Sequence, residues 1–402
     1  MSSRRLPVFF ALLATIAVSA CSSEDSASPA TDAPTTLSPV TEAPTTETVD
    51  PTVEAMMYTE AGPYPVGVTT LELAAGNKVE VWYPAVDGTT GAEFYDTRDF
   101  VPPAIKALLT ADVPARYDYT AGRDAVVADG QFPVVLFSHG YSGMRFQSTF
   151  LTAHLASWGM VVAAPDHWSR DLFHVLSAPV GDRESATGEL LGTLDLITSG
   201  NDDPASLLQG HIDVSRVIAL GHSAGGGTIV SAANDDRIDG YISMASGVLG
   251  MGSANATTTA PPTFVNKPSF FIAGALDAII SAEESTRPSF EAVPGPSRLW
   301  IIDGVGHNGF DDFCTFGNGS GIIGVALASG LGPLLDAQPQ LKTLGQDGCI
   351  PPAEPVELGF PIIKHAVTAQ LRFWFGDDAT PVGLDSSVSD QYELAVSIDS
   401  KD

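Results

Sequence analysis

Basic residues are scarce in this chain: 19 Lys and Arg stand against 48 Asp and Glu over 402 residues, for a formal net charge of −29. Only six of those cations are lysine. A field of that sign repels polyphosphate and anionic lipid, so nucleic acid and acidic membrane surfaces are not expected partners. Cysteine is scarcer still, with three residues in all, so no disulfide framework can carry the fold. Internal repeats are lacking too. What remains is a chain that is 44% hydrophobic and 17% charged, enough for one large domain with a sizeable core.

The N-terminus has a different character. Arg4 and Arg5 precede the apolar stretch "LPVFFALLATIAV", which ends in small residues and Cys21. A basic start, a short apolar segment and a small-residue boundary predict an export signal over residues 1–20, too short for a stable membrane span. "Val18-Ser19-Ala20-Cys21" resembles a bacterial lipobox, which makes Cys21 the expected lipidation site of a cell-surface lipoprotein; plain secretion is the alternative. Residues 21–57 are Ser, Thr, Pro and acid with little to bury, and they are expected to form a disordered tether. The membrane is then a partner only through the lipid. Cys314 and Cys349 remain, and in an exported protein one pair predicts one disulfide.

From residue 58 the composition is globular. "GVTTLEL" and "KVEVWYPA" alternate around Gly76-Asn77 and predict an antiparallel hairpin. A polar, irregular stretch follows to Gly130, with a short helix expected near Pro103. Then continuous apolar runs such as "FPVVLFSHG", "MVVAAPD" and "RVIALGHS" alternate with helical patterns. "IDGYISMAS", "KPSFFIAGA" and "SRLWIIDGV" add three strands, and "PIIKHAVTAQLRFWFGDD" a long final helix. That alternation predicts an α/β fold: a mostly parallel sheet with helices on both faces over residues 58–378, then an acidic tail over 379–402.

In such sheets function collects at the C-terminal ends of strands. Gly221-His222-Ser223-Ala224-Gly225 lies between a buried strand and a helix start, as a nucleophile elbow requires. A serine hydroxyl needs a base within hydrogen-bond reach. Among eight histidines, His307 in "DGVGHNGF" sits in a glycine-bracketed loop after a strand and follows the serine in the chain. His139 is expected to support the loop after the first buried strand. Asp277, after "FFIAGAL", lies between Ser223 and His307 and is the expected acid; Asp303 stands too close to His307 in sequence. The backbone amides of Tyr141 and Ala224 are the candidate oxyanion hole. "PDHWSRDLFH" gathers Asp166, His167, Asp171 and His174, but its spacing matches no zinc pattern, so no metal is expected.

Together, "GPYPVGV", "VEVWYP", "FPVVLFSHGYSG", "VVAAPDH", "GHSAGG", "GALD" and "GVGHNGF" resemble exported α/β-hydrolases related to platelet-activating-factor acetylhydrolase, dienelactone hydrolase and the chlorophyllase-like esterases. The likeness covers residues 62–376. It implies an α/β-hydrolase fold, a Ser223–Asp277–His307 triad, a small-molecule or lipid-like ester substrate and no cofactor. Cutinases and polyester hydrolases are more distant cousins. They commonly carry Met after the nucleophile and Trp after the next strand, where this chain has Ala224 and "MASGV". Lipase-like or polyester hydrolysis, and a silent binding protein on the same fold, are the alternatives. Residues 311–359, Gly- and Leu-rich with one helix expected, read as a disulfide-pinned insertion that shapes the acyl pocket.

Overall fold

The computed structural model describes residues 56–110, 112–177, 184–247 and 264–402. The expected leader, Cys21 and the tether up to residue 55 lie outside the described residues. Twelve strands are present among the described residues: β1 (Val66–Glu72), β2 (Lys78–Pro84), β3 (Glu93–Asp96), β4 (Arg116–Tyr119), β5 (Gly122–Arg123), β6 (Phe132–Ser138), β7 (Val161–Pro165), β8 (Ile212–His222), β9 (Gly240–Met244), β10 (Ser269–Gly274), β11 (Ser297–Ile302) and β12 (Val396–Lys401). Ten of them form one sheet in the order β12-β11-β10-β9-β8-β6-β7-β2-β1-β5, while β3 and β4 pair apart.

Strands β7, β6, β8, β9, β10 and β11 run parallel, each buried over most of its length. The predicted hairpin is present as β1 and β2, antiparallel from Val66↔Pro84 to Glu72↔Lys78. Because side chains alternate along a strand, each parallel strand feeds two cores. Val135 and Phe137 face one side, and Val134 and Leu136 the other.

Six α-helices precede the insertion among the described residues: α1 (Pro103–Lys106), α2 (Thr149–Ser157), α3 (Leu172–Val175), α4 (Ala186–Asp202), α5 (Ala224–Ala232) and, after β10, α6 (Arg287–Ala292). On one face α2 packs with the final helix, through residues such as Leu155, Ile362 and Val367. On the other, α4, α5 and α6 contribute Leu194, Ile229 and Phe290. This is the α/β-hydrolase arrangement.

Two expectations need correction. The segment after His307 holds four short helices, not one: α7 (Phe316–Gly319), α8 (Gly321–Ala328), α9 (Gly332–Ala337) and α10 (Pro339–Gln346). Gly330, at φ 76, separates α8 from α9, and Gly317 and Asn318, at φ 64 and 57, kink α7 from within. The long helix α11 (Val356–Phe375) then follows and ends on Gly376. Nor is the C-terminus a tail: β12 pairs antiparallel with β11 from Ser297↔Lys401 to Ile302↔Val396 and closes the sheet edge. Its Ser397 and Asp399 face outward while Val396 packs into the core, a strand pattern that the acidity of the surrounding stretch masked.

Candidate active site

The backbone at Ser223 takes a sharp, strained turn. Ser223 has φ 55 and ψ −122, between the last residue of β8 and the first of α5. Its amide donates to Met244 O at 2.9 Å, which ties the turn to β9. A β-carbon on Gly225 would stand 1.9 Å from Ser138 O, so only glycine lets α5 start this close to β6.

Three strand ends converge on this serine. His307 Nε2 lies 2.9 Å from Ser223 Oγ, and His307 Nδ1 lies 2.8 Å from Asp277 Oδ2. The other oxygen of Asp277 accepts the amides of Ile279 and Ile280, at 2.9 and 2.7 Å. All three side chains are buried, Ser223 at 6% exposure, Asp277 at 5% and His307 at 1%, so these contacts are shielded from bulk water. Asp303 is exposed at the end of β11, and its amide pairs with Ala395 O, away from the ring.

The loop after β6 is anchored on every side. Burial and the Arg170 charge lower the His139 pKa to about 3, so its ring is neutral. Its Nδ1 donates to Gly140 O at 2.8 Å, and its Nε2 accepts the His167 amide at 2.9 Å. His139 supports the loop, as its position suggests. Gln147 links this loop to the elbow: its Oε1 accepts the Gly140 amide at 3.0 Å, and its Nε2 donates to His222 Nδ1 at 2.6 Å. His222, neutral through burial and the neighbouring His307, donates from Nε2 to His307 O at 3.1 Å. Within this frame Tyr141 is half exposed at the mouth and lines the same cavity as Ser223 and His307. Ala224 is the first helical residue of α5, so its N–H has no acceptor within the helix.

The residues of "PDHWSRDLFH" have partners within the protein. Asp166 pairs with Arg145 at 2.6 Å, and Asp171 caps α3 through the His174 amide and ring. His167 lies between Ser138 Oγ and Glu189, 2.9 Å from each. Arg170, which the sequence reading passed over, is buried and binds His139 O, Ser138 Oγ and Thr228 Oγ1. Burial lowers its pKa to about 10, still cationic at neutral pH. Among the described residues no cluster of three or more His, Cys, Asp or Glu is placed to hold a metal ion.

Beyond the serine lies a cavity of about 120 Å³, open at its mouth. Its near walls are Val101, Ile105 and Leu109, beside α1, and Leu172 and Leu176 of α3 and its end. The insertion supplies most of the remaining apolar lining, including Ile322, Ile323, Val325, Leu334, Leu335 and Leu344, while Thr97, Gln147 and Asn308 add polar groups. A Cys314–Cys349 disulfide closes the insertion on itself.

The model of a family described as "PETase: PET hydrolase-like" matches residues 119–328, just over half of the chain, a span that includes positions 223, 277 and 307. The chain is also similar to a protein named cutinase est2 from Thermobifida alba, at 25% identity over 179 residues, or 44% of this chain and 53% of that one. It thus spans about half the length of that relative. A platelet-activating factor acetylhydrolase from Cavia porcellus is 24% identical over 323 residues, or 66% of this chain and 71% of that one.

Proposed function

We propose that this chain, which belongs to the PET hydrolase-like family of α/β-hydrolases, is a serine hydrolase of carboxylic esters. The observation that carries the proposal is the unbroken hydrogen-bonded series Ser223 Oγ–His307–Asp277 at 2.9 and 2.8 Å on a strained strand-to-helix turn. His307 Nε2 takes the hydroxyl proton as Ser223 Oγ attacks the ester carbonyl, and Asp277 stabilises the imidazolium. The amides of Tyr141 and Ala224 receive the oxyanion, with the N-terminus of α5 favouring negative charge there. Collapse expels the alcohol, protonated by His307, and leaves an acyl group on Ser223. Water, deprotonated by His307, releases the acid by the same steps in reverse.

The cavity walls support a hydrocarbon acyl or alkyl group as the part of the substrate that is buried, because leucine, isoleucine and valine make up the walls away from the serine, while polar groups such as Gln147 and His307 gather beside it. The family and the relatives' names support ester substrates from small molecules to polyesters. A disulfide and the leader-like N-terminus support an exported enzyme tethered through Cys21. A fluorophosphonate should add a single adduct, found by peptide mass on Ser223, and leave Ser223→Ala unlabelled. An unmodified wild type, or an adduct on another residue, contradicts the proposal.

A further inference from the structure

The insertion does more than border the cavity. Its last residues before Cys349 reach beneath the two loops that carry Asp277 and His307. Asp347 Oδ1 accepts the His307 amide at 2.6 Å, and Oδ2 accepts the Ala278 amide at 3.1 Å. One carboxylate therefore bridges the loop of the acid and the loop of the base.

The backbone around Asp347 extends the bridge. Its carbonyl accepts Asn308 N at 2.9 Å and Asn308 Nδ2 at 2.7 Å, and Nδ2 also reaches Leu344 O at 2.6 Å. Gly348, at φ 88, permits the approach: a β-carbon there would stand 2.9 Å from Asn308 N. Cys349 is then joined to Cys314, on the stretch that leaves the His307 loop. The Ser–His–Asp contacts orient a ring but do not fix the separation of the loops that bear it. The Leu276 amide joins them directly, donating to Val305 O at 2.9 Å, and Asp347 adds a second tie next to the reacting groups, through two N–H bonds to a carboxylate, which are stronger than bonds between neutral groups.

We propose that Asp347 is a positioning residue, a clamp from the insertion that holds the His307 and Asp277 loops in register for proton transfer from Ser223. The inference rests on the hydrolase reading above. It differs from a role in anchoring the pocket wall, because the wall governs how substrate binds and the clamp governs how the nucleophile is activated.

The test compares the oxidised wild type with Asp347→Ala and Asp347→Asn, on p-nitrophenyl butyrate and on the rate of fluorophosphonate labelling at Ser223. A misplacement of the base near 1 Å costs about 100-fold, so kcat of Asp347→Ala should fall by about that factor, with labelling slowed in parallel. KM should stay within about twofold, since the clamp acts after binding. Asp347→Asn keeps one acceptor oxygen and should fall between, and it decides the matter should the alanine variant fail to fold. A raised KM with kcat preserved assigns Asp347 to the wall and overturns the inference. So does undiminished labelling of Ser223 in both variants, which leaves the hydrolase reading standing. No labelling of wild-type Ser223 overturns that reading first, and the clamp with it.

Discussion

Asp311 shows what a single residue beside the site can cost. It is fully buried, its Oδ1 accepts the Phe313 amide at 2.9 Å, and its Oδ2 has no hydrogen-bond partner. His222 Nδ1 is 3.9 Å away but neutral, so it offers no compensating charge. Burial, aided by the charge of Asp312, pushes the Asp311 pKa well above the ordinary carboxylate range. Below about pH 4 both the folded and unfolded chains hold this proton. Above it only the unfolded chain ionises, so this group withdraws stability as pH rises. Asp311→Asn keeps the Phe313 bond and cannot ionise. Urea midpoints should therefore favour the variant by a small margin at pH 5 and a larger one at pH 8; a wild-type advantage that grows with pH contradicts this. At this scale the sequence was readable where chemistry is local. Ser223 and His307 stood out because glycines bracket each at a strand end. Gln147, Arg170 and Asp347 did not, since they act on residues distant in the chain and sit in no pattern of their own.

Elements were legible in proportion to their burial. The continuous apolar runs of β6, β7, β8 and β10 can only be interior strands, and the hairpin announced itself by alternation around a turn. Short amphipathic pieces hid: β3 and β4 lie within the polar stretch and pair through four residues each. Strand β12 hid behind acidity, yet it is the outermost strand of the sheet. Arg287 binds Asp399, and Lys401 Nζ reaches the Glu291 carbonyl at 3.2 Å near the end of α6. A chain ending at Ala395 loses these ties and the burial of Val396, which alone is worth about 2 kcal/mol. It also leaves β11 as a bare edge. We expect a lower thermal midpoint and concentration-dependent aggregation. A truncated chain with the wild-type midpoint shows instead that β12 contributes nothing to the sheet.

Across the whole molecule, one sheet delivers Ser223, Asp277 and His307 from the ends of β8, β10 and β11, and the insertion closes the space in front of them. Parallel strands deliver their C-terminal ends to one edge of the sheet, which is why strand-end residues, sorted by glycine brackets and chain order, nominated the site. The insertion's fourfold helical division was not legible, because its pieces are four to eight residues long and none sustains a helical period of its own. Its contribution to the cavity makes hydrocarbon chains the expected occupants. The most direct measurement is therefore hydrolysis of p-nitrophenyl esters from acetate to palmitate by the wild-type protein, with Ser223→Ala as the blank. The account expects turnover that depends on chain length in the wild type and none above background in the variant. Equal rates for the two proteins across the series, or inertness of both, would contradict it.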